Sequence, residues 1–211
     1  MGRAQHGDKD ARRLSVYHGR RDFARTGEPA GRDAAPGPSA RFVVQIHDAR
    51  RMHFDFRLEV DGVLRSWAVP KGPSGDPRDK RLAVPTEDHP LEYRTFEGVI
   101  PAGEYGGGTV IVWDQGTYRP LSHDKHGRPL PFDEALERGH ATFWLEGDKL
   151  HGEYALTRFR TGAAGEEAWL LIKARDKGRT ARPEPHGTPD PHRARSARTG
   201  RTLRQVEDQQ T

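Results

Sequence analysis

The sequence predicts a mainly β protein, an antiparallel barrel or sandwich of about eight short strands with one or two short helices and disordered tails. Three observations carry this. Between residues 41 and 173, short apolar or alternating runs recur at close spacing, separated by turn signals such as Asp61-Gly62 and Gly147-Asp148. Only Asp133-Glu-Ala-Leu-Glu-Arg138, stopped by Gly139, reads as a convincing helix. Both flanks are polar, rich in Arg, Gly and Pro, and lack a period.

Taken in order, residues 1–13 are expected to be disordered. Residues 14–40 form an N-terminal arm: Leu14–Phe23 has some apolar content but no clear period, and Thr26–Ala40 is Gly-, Pro- and Ala-rich, as expected of an irregular surface crossing. Phe42-Val-Val-Gln-Ile46 is the first strand of the body, residues 41–173. From Met52 to Val60 the chain alternates strictly, and Val63–Val69 pairs back across an Asp61-Gly62 hairpin turn. Pro70–Pro77 is a loop, Arg81–Pro85 a short strand, and Pro101–Gly108 a tight turn after Phe96–Ile100. Thr109–Trp113 is another strand, and Gln115-Gly116 is expected to turn into Thr117–Arg119. His140–Glu146 and Leu150–Leu156 make a further hairpin, and Ala168–Lys173 is the last strand. Residues 174–211 read as a basic disordered tail. No internal repeat is present.

The 211 residues suffice for one substantial domain plus tails, and with 33% apolar residues much of the chain lies outside a core. No apolar run approaches the length of a membrane span, and Met1-Gly-Arg-Ala-Gln-His6 has neither a signal-peptide core nor a myristoylation Ser/Thr. The absence of cysteine excludes disulfides, thiolate zinc sites and thiol nucleophiles. A soluble cytoplasmic chain is expected. The net charge of +4 suggests nucleic-acid binding only until it is located. Residues 1–40 carry eight basic and five acidic side chains and residues 174–211 nine and five, leaving 18 basic against 21 acidic in the body.

The chemistry concentrates on Met52–Val60. Met52, Phe54, Phe56, Leu58 and Val60 make one apolar face, while His53, Asp55, Arg57 and Glu59 make the other, read as wet. Same-face neighbours on a strand are about 7 Å apart, so His53 and Asp55 can converge on one ion, with Arg57 placed for a phosphate oxygen on it. His47 shares their parity but would be about 20 Å away on a straight strand. It joins the site only if residues 48–51 turn the chain back. Two imidazoles and a carboxylate suit Mn²⁺, Fe²⁺ or Zn²⁺. From pattern alone, three readings stay open: this metal site, a plain surface Asp55–Arg57 pair, and the facial triad of an Fe(II)/2-oxoglutarate oxygenase. His89, which Pro90 biases toward an extended conformation and an outward-facing ring, is a second titratable candidate. Lys71 and Arg81 flank the Pro/Gly loop and could add positive charge. Arg20, Arg21, Asp22 and Glu28 read as solvated linker.

A longer run of motifs resembles a known family. His47-Asp-Ala-x-x-x-His53-x-Asp55-Phe-Arg-Leu-Glu59, Ser66-Trp-Ala-Val-Pro-Lys-Gly-Pro73, Arg81-Leu-Ala-Val84, Glu87-Asp-His-Pro-Leu-x-Tyr93, Phe96-Glu-Gly, Ile100-Pro-x-Gly-x-Tyr-Gly106 and Val110-Ile-Val-Trp-Asp114 are together similar to the 3′-phosphoesterase domain of bacterial DNA ligase D. The likeness runs in register over residues 41–119 and more weakly to 173, and Arg21-Asp-Phe-x-x-Thr-x-Glu28-Pro resembles the family's arm. It implies a β-barrel and a Mn²⁺-dependent enzyme of break repair that trims a 3′-terminal ribonucleotide to a 3′-phosphate and then removes that phosphate. Residues matching His47, His53 and Asp55 bind the metal in that family. Those matching Arg57, His89 and, less centrally, Lys71 and Arg81 engage phosphate, and Glu87 and Tyr93 match positions that matter for activity. Arg21, Asp22 and Glu28 match functional arm residues, which reverses the linker reading for these three. The polymerase and ligase modules usual in ligase D are not in this sequence. The expectation is therefore a stand-alone, monomeric, nucleoid-associated enzyme acting on DNA or RNA-tailed 3′ ends, with Ku and a separate ligase or polymerase in trans. A non-catalytic DNA-end adaptor is the alternative.

Overall fold

Alternating apolar residues decide which way each strand faces. In β1 (Arg41–Asp48), Phe42, Val44 and Ile46 are fully buried, and in β2 (His53–Val60) Phe54, Phe56, Leu58 and Val60 join them in the main core. The remaining strands are β3 (Val63–Val69), β4 (Arg81–Pro85), β5 (His89–Pro90), β6 (Gly98–Ile100), β7 (Gly108–Pro120), β8 (His140–Gly147), β9 (His151–Thr161) and β10 (Glu167–Lys173). The computed structural model describes residues 13–31, 37–162, 166–175 and 190–209. In it β1-β2-β3-β4-β10-β9-β8-β7 are paired antiparallel in that order, and β7 pairs back on β1, so eight strands close a barrel. Closure joins the eight strands edge to edge, and β5 and β6 are added to the sheet on β3 and β7.

The β2–β3 turn forms at Asp61-Gly62, both residues having positive φ (48° and 80°), as a two-residue hairpin turn requires. Gln115-Gly116 is not a turn. β7 runs unbroken through it, with a register shift against β1 that leaves Trp113 between Asp114, opposite Val44, and Val112, opposite Gln45. Glycine is needed at 116 because a Cβ there would lie 2.0 Å from the Glu146 carbonyl oxygen. Close strand approach, not a bend, explains that residue.

Three short α-helices lie among the described residues. Residues 15–19 (Ser15–Gly19) form α1, α2 is Phe132–Glu137, and α3 is Leu203–Glu207, with a 3₁₀ turn at Leu91–Thr95. Helix α1 escapes a period search because it is a single turn. Its fixing comes from outside: Leu14 and Tyr17 pack with Leu64, Leu91 and Tyr93 in a second apolar cluster on the outer side of the barrel. That cluster holds the arm against β3 and the 3₁₀ turn. No helix among the described residues is long and apolar enough to cross a membrane.

The expectation of a disordered tail over 174–211 needs correction for residues 190–209; residues 1–12, 32–36, 176–189 and 210–211 lie outside the described residues. Thr202 caps α3 in a reciprocal box with Gln205, and Leu203 and Val206 are buried in the main core cluster. Ala197 N–H donates to the Val112 carbonyl, and Thr199 Oγ1 donates to Glu97 at 2.7 Å. Two apolar residues three apart among many arginines were enough to dock the segment. Leu203→Ala should therefore lower unfolding free energy by about 2–5 kcal/mol, measured by urea denaturation, whereas a tail free of the barrel would leave stability unchanged.

Candidate active site

The polar side of β2 lies outside the barrel, yet it is not wet. Asp55, Arg57 and Glu59 are 5%, 2% and 6% exposed. They are covered by the arm and by residues 86–106, so the alternation correctly separates the two faces but not their solvation.

The chain does turn back after β1. His47 pairs with His53 across the β1–β2 ladder, and their rings lie 4.9 Å apart. His47 Nδ1 and His53 Nε2 each lie 3.6 Å from an Asp55 carboxylate oxygen. One ligand atom from each of the three lies within 4.8 Å of the others. The opposite ring nitrogens face backbone carbonyls, His47 Nε2 that of Gly106 at 2.7 Å and His53 Nδ1 that of Arg51 at 2.8 Å. Donating an N–H to each carbonyl fixes the tautomer and turns both free lone pairs toward Asp55, the usual support for metal-binding imidazoles. Gly106 presents its carbonyl to His47 from a φ of 78°, a conformation natural to glycine. The donor set and its second contacts fit a divalent transition ion.

Beside the triad lies a buried network of guanidiniums and carboxylates. Arg57 donates from Nε to Gln45 at 2.8 Å, from one terminal nitrogen to Ser66 at 2.8 Å, and from the other to Asp55 at 3.0 Å. Burial disfavours the Asp55 charge, but Arg57 and the two imidazoles outweigh it and hold the carboxyl well below the usual range. Arg21 donates to Glu28 at 2.8 Å and Glu87 at 3.1 Å and lies 3.8 Å from the centre of the Tyr17 ring. Burial opposes its charge, and Glu28 restores it with a net rise in pKa. Tyr93 donates to Glu28 at 3.0 Å, its own ionisation suppressed by burial and by the Glu28 charge.

His89 sits between the two guanidiniums, 2.9 Å from Arg57 and 3.3 Å from Arg21. It does not point outward: only 3% is exposed. Its Nδ1 also lies 2.8 Å from the Glu87 carbonyl; a hydrogen there leaves Nε2 to accept from Arg21, and the 2.9 Å approach of Arg57 to Nδ1 is then a contact between two donors rather than a hydrogen bond. Burial, then Arg57 and Arg21, push its pKa well below the usual histidine value. A neutral ring therefore replaces the expected neutral-pH proton donor.

The cleft is lined by Arg21, Arg57, Glu87, His89, Tyr93 and the triad, with Thr86 and Tyr105 at its edge. Four expected residues are not in that lining: Glu28 stands behind it against Arg21 and Tyr93, and the other three lie apart from it. Lys71 is exposed, Arg81 donates to Asp79 at 2.6 Å, and exposed Asp22 accepts from Ala24 N–H in a local turn. Gln45, Ser66, Arg20 and Tyr105 were missed. Gln45 had a signal, since it shares the parity of His47 and stands in an otherwise apolar strand; the others are brought in only by the fold.

Two predictions follow from this geometry. Adding Mn²⁺ should raise the unfolding temperature, the gain reaching about 2.7 kcal/mol at a hundredfold excess over Kd, and His53→Ala should abolish the shift; an undiminished shift in that variant would put the ion elsewhere. For His89, the native ring stays neutral while the unfolded ring takes up a proton below about pH 6.5. Stability is thus complete above that pH and declines as pH falls toward the depressed native pKa. Urea midpoints at pH 7.5 and 5 should differ less in His89→Gln than in the parent, and equal differences would refute the buried neutral ring.

Comparison with known proteins agrees with this arrangement. The family profile for the DNA ligase D 3′-phosphoesterase domain matches residues 45–158, more than half of the chain. The Multifunctional non-homologous end joining protein LigD of Pseudomonas aeruginosa is 51% identical over 166 residues, covering 77% of this chain and 19% of that protein. The LigD non-homologous end joining DNA repair protein of Mycobacterium tuberculosis is 49% identical over 169 residues, covering 79% and 20%. That of Mycolicibacterium smegmatis is 41% identical over 176 residues, covering 82% and 22%. The chain thus spans about a fifth of the length of these curated relatives. By the extent of the profile match, and with a closed barrel carrying the cleft, the chain belongs to the DNA ligase D 3′-phosphoesterase domain family.

Proposed function

We propose that this protein is a metal-dependent 3′-end-healing phosphoesterase of DNA break repair. It trims a 3′-terminal ribonucleotide by releasing its nucleoside, which leaves a 3′-phosphate, then removes that phosphate as inorganic phosphate and leaves a 3′-OH for end joining in the cytoplasm at the nucleoid. The observation that carries the reading is the junction of two chemistries in one cleft: a two-histidine, one-carboxylate triad directly beside the paired guanidiniums of Arg57 and Arg21. Held by His47, His53 and Asp55, an ion such as Mn²⁺ would supply Lewis-acid polarisation of a phosphoryl oxygen.

The chain's own residues supply the rest. Arg57 keeps one hydrogen of its Asp55-bound nitrogen uncommitted, and it lines the cleft where a phosphate oxygen would lie. Preorganised charge of this kind acts strongly in a site shielded from water. His89 contributes position rather than charge, since its neutral ring separates the two guanidiniums. Glu28 and Glu87 orient Arg21, and Tyr93 ties Glu28 to the barrel. Lys71 and Arg81 lie outside this set and would meet DNA beyond the cleft, while Asp22, also outside it, closes a local turn of the arm. Ku and a separate ligase or polymerase are the partners this reading calls for.

The decisive assay is a duplex with a labelled 3′-ribonucleotide or 3′-phosphate, incubated with Mn²⁺ or with EDTA. Release of nucleoside and inorganic phosphate only with Mn²⁺, and its loss in Asp55→Asn, is the expected result. Retained DNA binding without release would identify an end adaptor and overturn the proposal. A diester rate unchanged when the 2′-OH vicinal to the scissile phosphate, on the penultimate sugar, is replaced by hydrogen would exclude that hydroxyl as the nucleophile and leave water.

A further inference from the structure

One exposed aromatic at the mouth of the cleft has no structural need to be there. Tyr105 is 47% exposed, and among the exposed large apolar side chains of the described residues it alone lines this cleft. A ring left in water normally finds burial or is free to move. Here Arg20 holds the ring, with the Arg21 guanidinium carbon 5.7 Å from its centre, and contacts of both neighbouring residues hold its backbone. Its hydroxyl accepts from Arg20 at 2.6 Å, with the Arg20 guanidinium carbon 4.7 Å from the ring centre. The preceding residue, Glu104, pairs with Arg25 of the arm at 2.9 Å. The following residue, Gly106, offers the carbonyl that orients His47. Tyr105 is therefore held at a set position relative to the triad, and Arg20, whose other contact is Glu87 at 2.9 Å, serves as its clamp rather than as a loose cation.

We propose that Tyr105 is the nucleoside-positioning residue of the site: its ring stacks on the base of the 3′-terminal nucleotide while that nucleotide's phosphate lies at the triad. The inference rests on the phosphoesterase reading above and extends it to how the end is held. Stacking on an aromatic face accepts any base, which suits an enzyme meeting ends of arbitrary sequence. A ring clamped before binding loses little freedom on binding. The triad and the guanidiniums are suited to phosphate, and among the cleft's aromatic side chains Tyr105 is the one that presents its ring to solvent.

The test compares two duplexes with a 3′-phosphate, identical except that the last residue carries a base in one and is a tetrahydrofuran abasic analogue in the other. The wild-type protein should show a KM lower for the base-bearing end by about five- to a hundredfold. Tyr105→Ala should bring that ratio close to one, while Tyr105→Phe and Tyr105→Trp, which keep a ring, should preserve it. A purely structural latch would change both substrates equally and leave the ratio intact. A wild-type ratio near one, or an undiminished ratio in Tyr105→Ala, overturns the inference alone. A wild-type protein that releases phosphate from neither end overturns the phosphoesterase reading and this inference with it.

Discussion

Arg57 is a guanidinium 2% exposed on the outer face of a barrel strand, and the rest of the site is arranged by the requirement that it be paired. An unpaired charge at that depth would cost several kcal/mol, and removing one partner of a buried pair costs about 3–5 kcal/mol. The pairing engages all three nitrogens of the fork: Nε with Gln45 from β1, one terminal nitrogen with Ser66 from β3 and His89 against it from β5, and the other with Asp55 from its own strand. Gln45 in turn donates to the Tyr93 and Phe96 carbonyls and so fixes the 3₁₀ turn. A single buried cation thereby sets three barrel strands and the segment covering them in one register. The Asp55 carboxylate is kept ionised by the same contact that the triad needs.

Covering that face falls to the arm, and it does so with few residues. Tyr17 is fully buried, its hydroxyl donating to the Pro29 carbonyl at 2.6 Å, so the arm is closed on itself before it meets the barrel. Arg21 and Glu28 then reach from the two limbs of that loop to Glu87 and Tyr93. Because Glu28 also receives Thr26 Oγ1 at 2.9 Å, each carboxylate oxygen has a partner. Ordering of the arm and ordering of the cleft are consequently one event. The C-terminal segment repeats the principle on the main core, where Leu203 and Val206 bring a basic stretch into fixed contact with β7.

How much of this was legible follows from what kind of signal each residue leaves. Strand alternation marks direction, so the barrel strands, the Asp61-Gly62 hairpin and the same-face grouping of His53, Asp55 and Arg57 could be read. Alternation says nothing about what lies on top of a face, and for that reason a buried polar network was read as wet. The return of His47 could be posed only as a condition on residues 48–51, because turning is decided by pairing with β2. Arg20, Ser66 and Tyr105 leave no local mark; their place depends on contacts more than fifty residues away or on the adjoining strand. In the C-terminal segment, arginine content hid a two-residue apolar anchor and a Thr202 cap. Gly116 carried a true signal of the wrong kind, since close approach and turning draw on the same residue.

Charge balance gives the proposed ion a second role in the cleft. Arg20, Arg21 and Arg57 face Glu28, Glu87 and Asp55, three cations against three anions, all engaged with one another. As folded, the network offers an incoming phosphate no net attraction, and the body around it is slightly acidic. A divalent ion at the triad would leave the cleft two charges positive, enough to match a dianionic 3′-phosphate without stripping any guanidinium from its carboxylate. Ion and substrate would then bind interdependently: the ion makes the cleft attractive to phosphate, and the phosphate offsets charge that the buried site would otherwise hold alone. On the proposed reading the guanidiniums would fix geometry and the ion would supply the net attraction. Positive charge in the flanking segments would then draw DNA from a distance and leave the cleft to recognise the end.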